Sequence, residues 1–357
     1  MFSVGLDVHQ KRSSVCILDE HGKKVKEFEV VGTWDKLVEE LTRLPRPMAV
    51  CFEASTGCGY LFDKIVPLAE RVEVAHPGKT RVIFRSKKKS DRIDAAKLAS
   101  LLFLGQVPRA YVPEASVRSW RALVEFRHGL VGKRTRCKNA LRTLLRGCGV
   151  QGLRPRKGSG GGAWSKQGLD LLREVALPST HDRLRRDLLM DELGRLGASV
   201  KRVERELDTL AADHAGVSLL RTIPGVGVRT AEAVLAYVDK PERFERNKQI
   251  GAYFGLVPSL DSSGEAARYG HITREGPPTV RGLIVEAAWQ SIRHSQTIRS
   301  FYERVCQGKK ERKKIALIAT AHHLLRVMLA MLKSGEVWRE AVKEDEVAAA
   351  TVAVAGV

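Results

Sequence analysis

The stretch "FSVGLDVHQKRSSVCILDEHGKKVKEFEVV", Phe2–Val31, decides the fold. "FSVGLDV" is a short apolar strand, and "RSSVCILD" is a second with turn material between them. "EHGK" turns the chain into "KVKEFEVV", a third strand whose apolar residues recur with period two. A doubly wound nucleotide-binding fold needs a helix between its first two strands. None fits here, so the opening reads as a three-stranded meander.

Outward from the meander, "WDKLVEELTRL" carries Trp34, Leu37, Val38 and Leu41 on one helical face. "MAVCFEA" is a continuous apolar run, the kind of strand buried on both faces. A helix over "GYLFDKIVPLAE", a fifth strand "VEVAHP" and a last helix starting in "KKKSDRIDAAKLA" (Lys87–Ala99) complete the region. Three strands, then helix, strand, helix, strand, helix, is the order of a ribonuclease-H-like α/β domain. It is expected over residues 1–105.

Four acids fall at its strand and helix ends. Asp7 closes the first strand and Glu53 the buried fourth. In open α/β sheets the functional crevice lies beyond strand ends, and adjacent central strands would set these two side by side. Asp91 and Asp94, three apart, share a face of the last helix. Taken alone, Asp91 reads as an ordinary first-turn acid beside an N-cap at Ser90, because carboxylates favour the positive end of a helix. Four carboxylates converging would repel one another, and hard cations resolve that repulsion. Mg²⁺ takes oxygen ligands and keeps positions open for phosphate oxygens, and two such ions roughly 4 Å apart can stabilise both the attacking and the leaving oxygen of a phosphodiester displacement.

The charge points the same way. The 357-residue chain carries a formal +20, and residues 81–160 hold twenty Lys and Arg against only Asp91, Asp94, Glu114 and Glu125. A surface that merely keeps a protein in solution mixes its signs more evenly, so a polyanion is the expected partner. Six cysteines without a C-x-x-C pair argue against zinc and a disulfide framework. The N-terminus lacks a signal-peptide pattern. The longest apolar run, "IALIATAHHLLRVMLAML", is broken by His322, His323 and Arg326 and reads as a buried helix rather than a membrane span. The expected protein is soluble, cytoplasmic and associated with the nucleoid.

Residues 106–215 read as helical. An apolar stripe runs through Leu123, Leu130, Cys137, Leu141 and Leu144, and beside it Arg134, Lys138, Arg142 and Arg146 form an i, i+4 row. Aligned cations are unfavourable unless something neutralises them, and phosphates do so. A returning helix carries Leu189, Leu193, Leu196, Val200, Val203, Leu207 and Leu210, a coiled-coil seam. The sequence leaves open whether it pairs within the chain or between protomers.

Residues 216–340 open on "LLRTIPGVGVRTAEAVLAYV", read as a helix-hairpin-helix whose turn (Pro224, Gly225, Gly227) offers backbone N–H groups to phosphate. Next comes "FGLVPSLDSSGEAARYGHITREGPPTVRGLIVEAAW", where Ser262, Ser263 and Gly264 read as a loop followed by Arg268, Arg274 and Arg281. A serine beside cations can attack phosphorus, although loop serines are mostly turn formers. Residues 341–357 read as a tail.

"GLDVHQ", "FEAST", "KSDRIDAAKLA", "LLRTIPGVG" and "GLVPSLDSSG…GHITREG…RGLIVEAA", in this order, resemble the motifs of the DEDD-type transposases of the insertion-sequence family numbered one-ten, relatives of the pilin-gene invertase. The resemblance covers nearly the whole chain. It implies a RuvC-like domain, a coiled-coil middle and a mostly helical transposase domain. It implies Asp7, Glu53, Asp91 and Asp94 as a Mg²⁺-binding tetrad and Ser263 as a nucleophile toward donor and target DNA, with Ser262 as its rival. Where some relatives show a serine, this chain has Thr273. The resemblance further implies a structured guide RNA and a dimer or tetramer with an active site shared between protomers. Lys87, Lys88, Lys89, Arg134, Lys138, Arg142, Arg146, Gly225, Gly227, Arg268 and Arg274 are the expected nucleic-acid contacts, and no membrane is expected. A Holliday-junction resolvase would share the acidic fold without needing the serine region, a DEDD exonuclease opens with D-x-E, and a non-catalytic binder would not need four acids.

Overall fold

The computed structural model describes residues 1–83, 90–150, 162–212, 214–263 and 266–340, the side chains of 261–263, 266 and 267 excepted. It divides into two compact units, Met1–Arg118 and Ser119–Val357.

In the first unit, β1 (Phe2–Val8), β2 (Arg12–Leu18) and β3 (Lys24–Val31) form the expected meander. They are followed by α1 (Trp34–Thr42), β4 (Met48–Glu53), α2 (Cys58–Ile65), β5 (Arg71–Ala75), α3 (Pro77–Ile83) and α4 (Asp91–Phe103). The sheet order is β3-β2-β1-β4-β5, with β1 antiparallel to β2 and parallel to β4.

The two sheet faces are packed with different residues. On one face Val4, Leu6, Val15, Ile17, Val50 and Phe52 meet Leu37 and Leu41 of α1 and Leu61 and Ile65 of α2. On the other face α4 lies over small side chains: Cys16 clusters with Ala95 and Ala99, and Ala49, Cys51 and Ala75 with Leu98, Leu101 and Leu102. Gly5 brings α4 closest. A methyl added there would collide with the Ala95 carbonyl oxygen and the Ala99 nitrogen. Small residues let a helix sit low on a sheet at native packing density, and this seats the first turn of α4 at the end of β1.

The second unit is built on two 33-residue helices, α5 (Ala115–Gly147), which starts just before the division, and α7 (Thr180–Ala212), with α6 (Lys166–Glu174) between them. Cys137 Sγ donates to the Leu189 carbonyl at 3.1 Å and Arg127 Nε to Glu204 at 3.0 Å, so the two helices pack antiparallel within one chain. The middle of the expected seam is buried: Leu193, Leu196, Val200, Val203 and Leu207. Its ends differ. Met190 and Ala211 are buried in place of Leu189 and Leu210. A straight helix of 3.6 residues per turn drifts away from a strict 3.5 repeat.

The same core runs on into α8 (Ala215–Leu220), α9 (Val228–Val238), α10 (Gln249–Tyr253), α11 (Pro278–His294), α12 (Gln296–Cys306) and α13 (Lys313–Ser334). α13 is long and apolar enough to cross a membrane by length and composition. However, Thr320, Ala321, Leu324, Leu325, Met328 and Leu329 are buried in the core of this unit while Arg326 faces out. Between α10 and α11 the chain forms an antiparallel hairpin, β6 (Pro258–Ser263) and β7 (Ala266–Ile272).

Candidate functional site

Ser90 caps α4, its Oγ accepting from Ile93 N at 3.3 Å, so Asp91 does occupy a capped first turn. The cap also directs the acids toward β1. His9 Nε2 lies 3.4 Å from Asp7 Oδ2 and 3.7 Å from Asp91 Oδ2, and one ligand atom from each of the three residues falls within 4.8 Å of the others. Asp7 is half-buried. Burial pushes its carboxyl above the ordinary carboxylate range, the nearby His9 opposes this, and the charges of Asp91 and Asp94 add to the rise. Asp94 is also held by Lys97 at 2.9 Å. Three of the four expected acids therefore share one electrostatic neighbourhood.

Glu53 ends β4, the parallel neighbour of β1, immediately beyond the Leu6–Phe52 pair, which is the register position beside Asp7. The side chain is exposed. On the other side of Asp7, its cross-strand partner Ser14 is fully buried with an Oγ that finds no hydrogen-bond partner among the described residues.

This donor set fits a divalent cation. A carboxylate held above its ordinary range by burial and two like charges is relieved by a cation, and oxygen donors suit hard ions. Asp7, His9 and Asp91 could hold one. His9 adds a nitrogen donor, which the sequence reading passed over, as it did Lys97. The signals were present: His9 follows Asp7 off the strand end, and Lys97 is one helical turn after Asp94.

The serine pair does not lie in a loop. Ser262 and Ser263 are the last residues of β6, paired with Ala267 and Ala266, because strand pairing extends as far as the Ser263–Ala266 pair; Gly264 lies outside the described residues. The hairpin is clamped at its base. Gly255 and Gly276 take left-handed backbone angles, φ 67° and 72°, which side chains disfavour. A methyl on Gly255 would strike the Glu275 backbone and one on Gly276 the Tyr253 carbonyl. Arg281 Nη1 ties the crossing together, donating to the carbonyls of Phe254 and Glu275 at 3.2 and 3.0 Å. Arg268 and Arg274 are exposed.

The expected phosphate contacts separate. Lys87, Lys88 and Lys89 lie outside the described residues. On α5, Lys138 and Arg142 each sit 5.2 Å from the Trp164 ring centroid; Lys138 is partly buried there, whereas Arg142 and Arg146 are exposed. Burial, followed by the charges of Arg134 and Arg142, lowers the Lys138 ammonium below its ordinary range. In the turn between α8 and α9, Gly225 (φ 91°) faces inward, where a methyl would meet the backbone of α11 at Ser291. Gly227 faces open space and precedes α9.

Comparison with known proteins matches both halves. Residues 4–149 match a family model described as "Transposase", the DEDD type of IS110 elements, and residues 217–303 one described as "Transposase IS116/IS110/IS902 family". A "Probable family 20 transposase" of Pseudomonas aeruginosa is 25% identical over 341 residues, 94% of this chain and 98% of the relative. The "Transposase for insertion sequence element IS1111A" of Coxiella burnetii is 26% identical over 82% of this chain and 78% of its own length. The "Pilin gene-inverting protein" of Moraxella lacunata is 28% identical over 36% of this chain and 40% of its own. Two models of one kind of element, in order along well over half of the chain, go with the acid cluster in one unit and the serine hairpin in the other: the chain belongs to the IS110 family of transposases.

Proposed function

We propose that this chain is a DNA recombinase that cuts and rejoins DNA through a covalent serine–DNA phosphodiester, with an RNase H-like (RuvC-like) domain supplying the acids. Asp7, Glu53, Asp91 and Asp94 hold Mg²⁺, and His9 is a further donor to it. The observation that carries the reading is the meeting of Asp7 with Asp91 and Asp94 at the end of β1, held by the close seat of α4 on Gly5.

The Ser263 hydroxyl oxygen forms a bond to the scissile phosphorus. The bond from phosphorus to one bridging oxygen breaks, and that oxygen leaves as a free DNA hydroxyl after taking up a proton. One phosphodiester replaces another, so attack by a hydroxyl of a second DNA end reverses the step and rejoins the strands. Serine is a weak nucleophile at neutral pH and needs activation. A bound Mg²⁺ would stabilise charge on the phosphate oxygens. A structured guide RNA choosing the DNA, and an oligomer in which copies act together, belong to the same reading.

Incubating the protein with RNA and labelled donor and target DNA, then denaturing, tests it. The expected result is labelled protein, lost in Ser263→Ala but kept in Ser262→Ala. Asp7→Asn should cut at least about 100-fold more slowly, the loss of roughly 3 kcal/mol of transition-state stabilisation. Mixing Asp7→Asn with Ser263→Ala should restore part of the activity if copies cooperate. Cleavage without an adduct in the wild type would replace this reading with a RuvC-like endonuclease.

A further inference from the structure

Several arginines of the second unit are consumed inside it. Arg121 donates to the carbonyls of Ala236 and Tyr237, Arg243 to those of Val238 and Tyr237, and Arg299 to those of Ile292 and Arg293. Arg229 is paired with Glu232 and Asp208. Such cations hold the fold and are not available to a ligand.

The turn from α12 into α13 is different. Arg304, Lys309, Lys310, Lys313 and Lys314 are all exposed, and none forms an ion pair among the described residues. Arg304 is braced over the Phe301 ring at 5.2 Å. Glu311 is the only acid between Arg304 and Lys314. The backbone that presents the lysines is built rather than loose. Gln307 and Gly308 both take left-handed angles, φ 55° and 69°, Lys309 N donates to the Cys306 carbonyl at 3.1 Å, and Arg312 N donates to the Lys309 carbonyl at 3.2 Å. A methyl on Gly308 would meet nothing within 4 Å, so the turn faces open space.

Lys309 precedes a single 3₁₀ turn, Lys310–Arg312, and Lys313 and Lys314 open α13, so four ammonium groups leave the backbone within six residues. Like charges crowded on one short turn repel one another. With Glu311 as the one acid among them, a repulsion is left that a polyanion removes. The cluster begins at Arg304, just past the end of the second family match at residue 303.

We propose that Arg304, Lys309, Lys310, Lys313 and Lys314 form a second nucleic-acid surface that grips the phosphate backbone without reading sequence. It is separate from the α5 row, where Lys138 and Arg142 lie against the Trp164 ring. The choice of nucleic acid as the polyanion rests on the recombinase reading above. The contact is made by point-charge ammonium groups on a convex turn, which suits phosphate rather than base edges.

The test is the salt dependence of binding, measured on the full chain without divalent metal, so that it is independent of cleavage. Random-sequence duplex DNA and single-stranded RNA are titrated from low to moderate salt. Replacing the four lysines with Gln should reduce the slope of log K against log[salt] by about 3.6 on duplex, at about 0.9 per contact, or about 2.8 on single strands at about 0.7. A loss of about the full expected size on one arm, with the other slope unchanged, identifies which nucleic acid uses the surface. The four Lys→Arg replacements should keep the wild-type slope. Single changes Lys310→Gln and Lys314→Gln, each too small to unfold the chain, should each lower it by about one contact. A quadruple Gln variant with wild-type thermal unfolding and an unchanged slope on both nucleic acids would overturn the proposal. So would a variant that loses only its binding to phosphatidylserine vesicles, which would assign the cluster to a lipid surface. Loss of cleavage with these slopes intact would count against the recombinase reading and not against this surface.

Discussion

Phe52, the residue before Glu53, is 1% exposed, while Tyr269, opposite Leu260 on the hairpin whose first strand ends in Ser263, is 73% exposed. The acids sit on a sheet packed on both faces, with α4 seated almost against the backbone of β1. The serine sits at the end of a two-stranded ribbon whose Leu260 and Tyr269 are exposed and whose closest packing is at its base, around Gly255, Gly276 and Arg281. An isolated two-stranded hairpin is at best marginally stable in water, so this ribbon takes its position from the base. The contrast indicates that the acid end is held by packing on both faces of its sheet, whereas the serine end is held at the base of its ribbon and leaves Leu260 and Tyr269 exposed for the proposed DNA to cover.

The contrast can be broken by mutation. The largest effect is expected from Phe52→Ala, about 3–5 kcal/mol of lost stability as a large buried side chain is removed from the sheet. Chemical denaturation of the first unit's transition measures it, and a loss below 1 kcal/mol would mean that the sheet is not the rigid partner.

Gly5→Ala should cost about 1–3 kcal/mol, because the added methyl forces α4 away from β1. The same shift should weaken Mn²⁺ binding measured by paramagnetic resonance, since Asp91 and Asp94 move with the helix. Unchanged Mn²⁺ affinity in a destabilised protein would separate packing from the acid site.

A smaller effect concerns the interior of the second unit. Glu232 is fully buried against Arg229, and burial outweighs that partner to push its carboxyl up to about 7 from an ordinary 4.5. The folded chain then keeps a proton that the unfolded chain releases above pH 4.5. Its contribution to stability is complete below that pH and falls away as pH rises to about 7. The wild type should lose at least about 1 kcal/mol over this window through this group, and Glu232→Gln should flatten the profile. Parallel profiles for the two proteins would show that Arg229 keeps Glu232 ionised throughout.

The smallest expected effect is Tyr269→Ser, within about 0.5 kcal/mol in the free protein because the ring is exposed. Adduct formation on DNA should nonetheless fall. A large loss of thermal stability would show that the ribbon is already packed and would remove the contrast.

The order of elements in the first unit was legible because each strand and helix carries its own periodicity, and "MAVCFEA" reads as buried from composition alone. The acids at strand and helix ends were legible for the same reason: position at an element's end is a one-dimensional property. So was the central seam of α7, whose drift at Met190 and Ala211 follows from helix geometry. Packing decided the rest. That Gly5 sets the depth of α4, that His9 and Lys97 join the acids, and that Trp164 lies against part of the basic row all depend on side chains distant in sequence meeting in space. The serine pair read as a loop because Ser, Gly and Asp are turn formers locally. It is a strand end because β7 supplies the hydrogen bonds that local propensity does not record. Which cations remain free was also a tertiary matter. Arg229 and Lys313 look alike in the sequence, and only the fold pairs the first with a buried acid and leaves the second facing water.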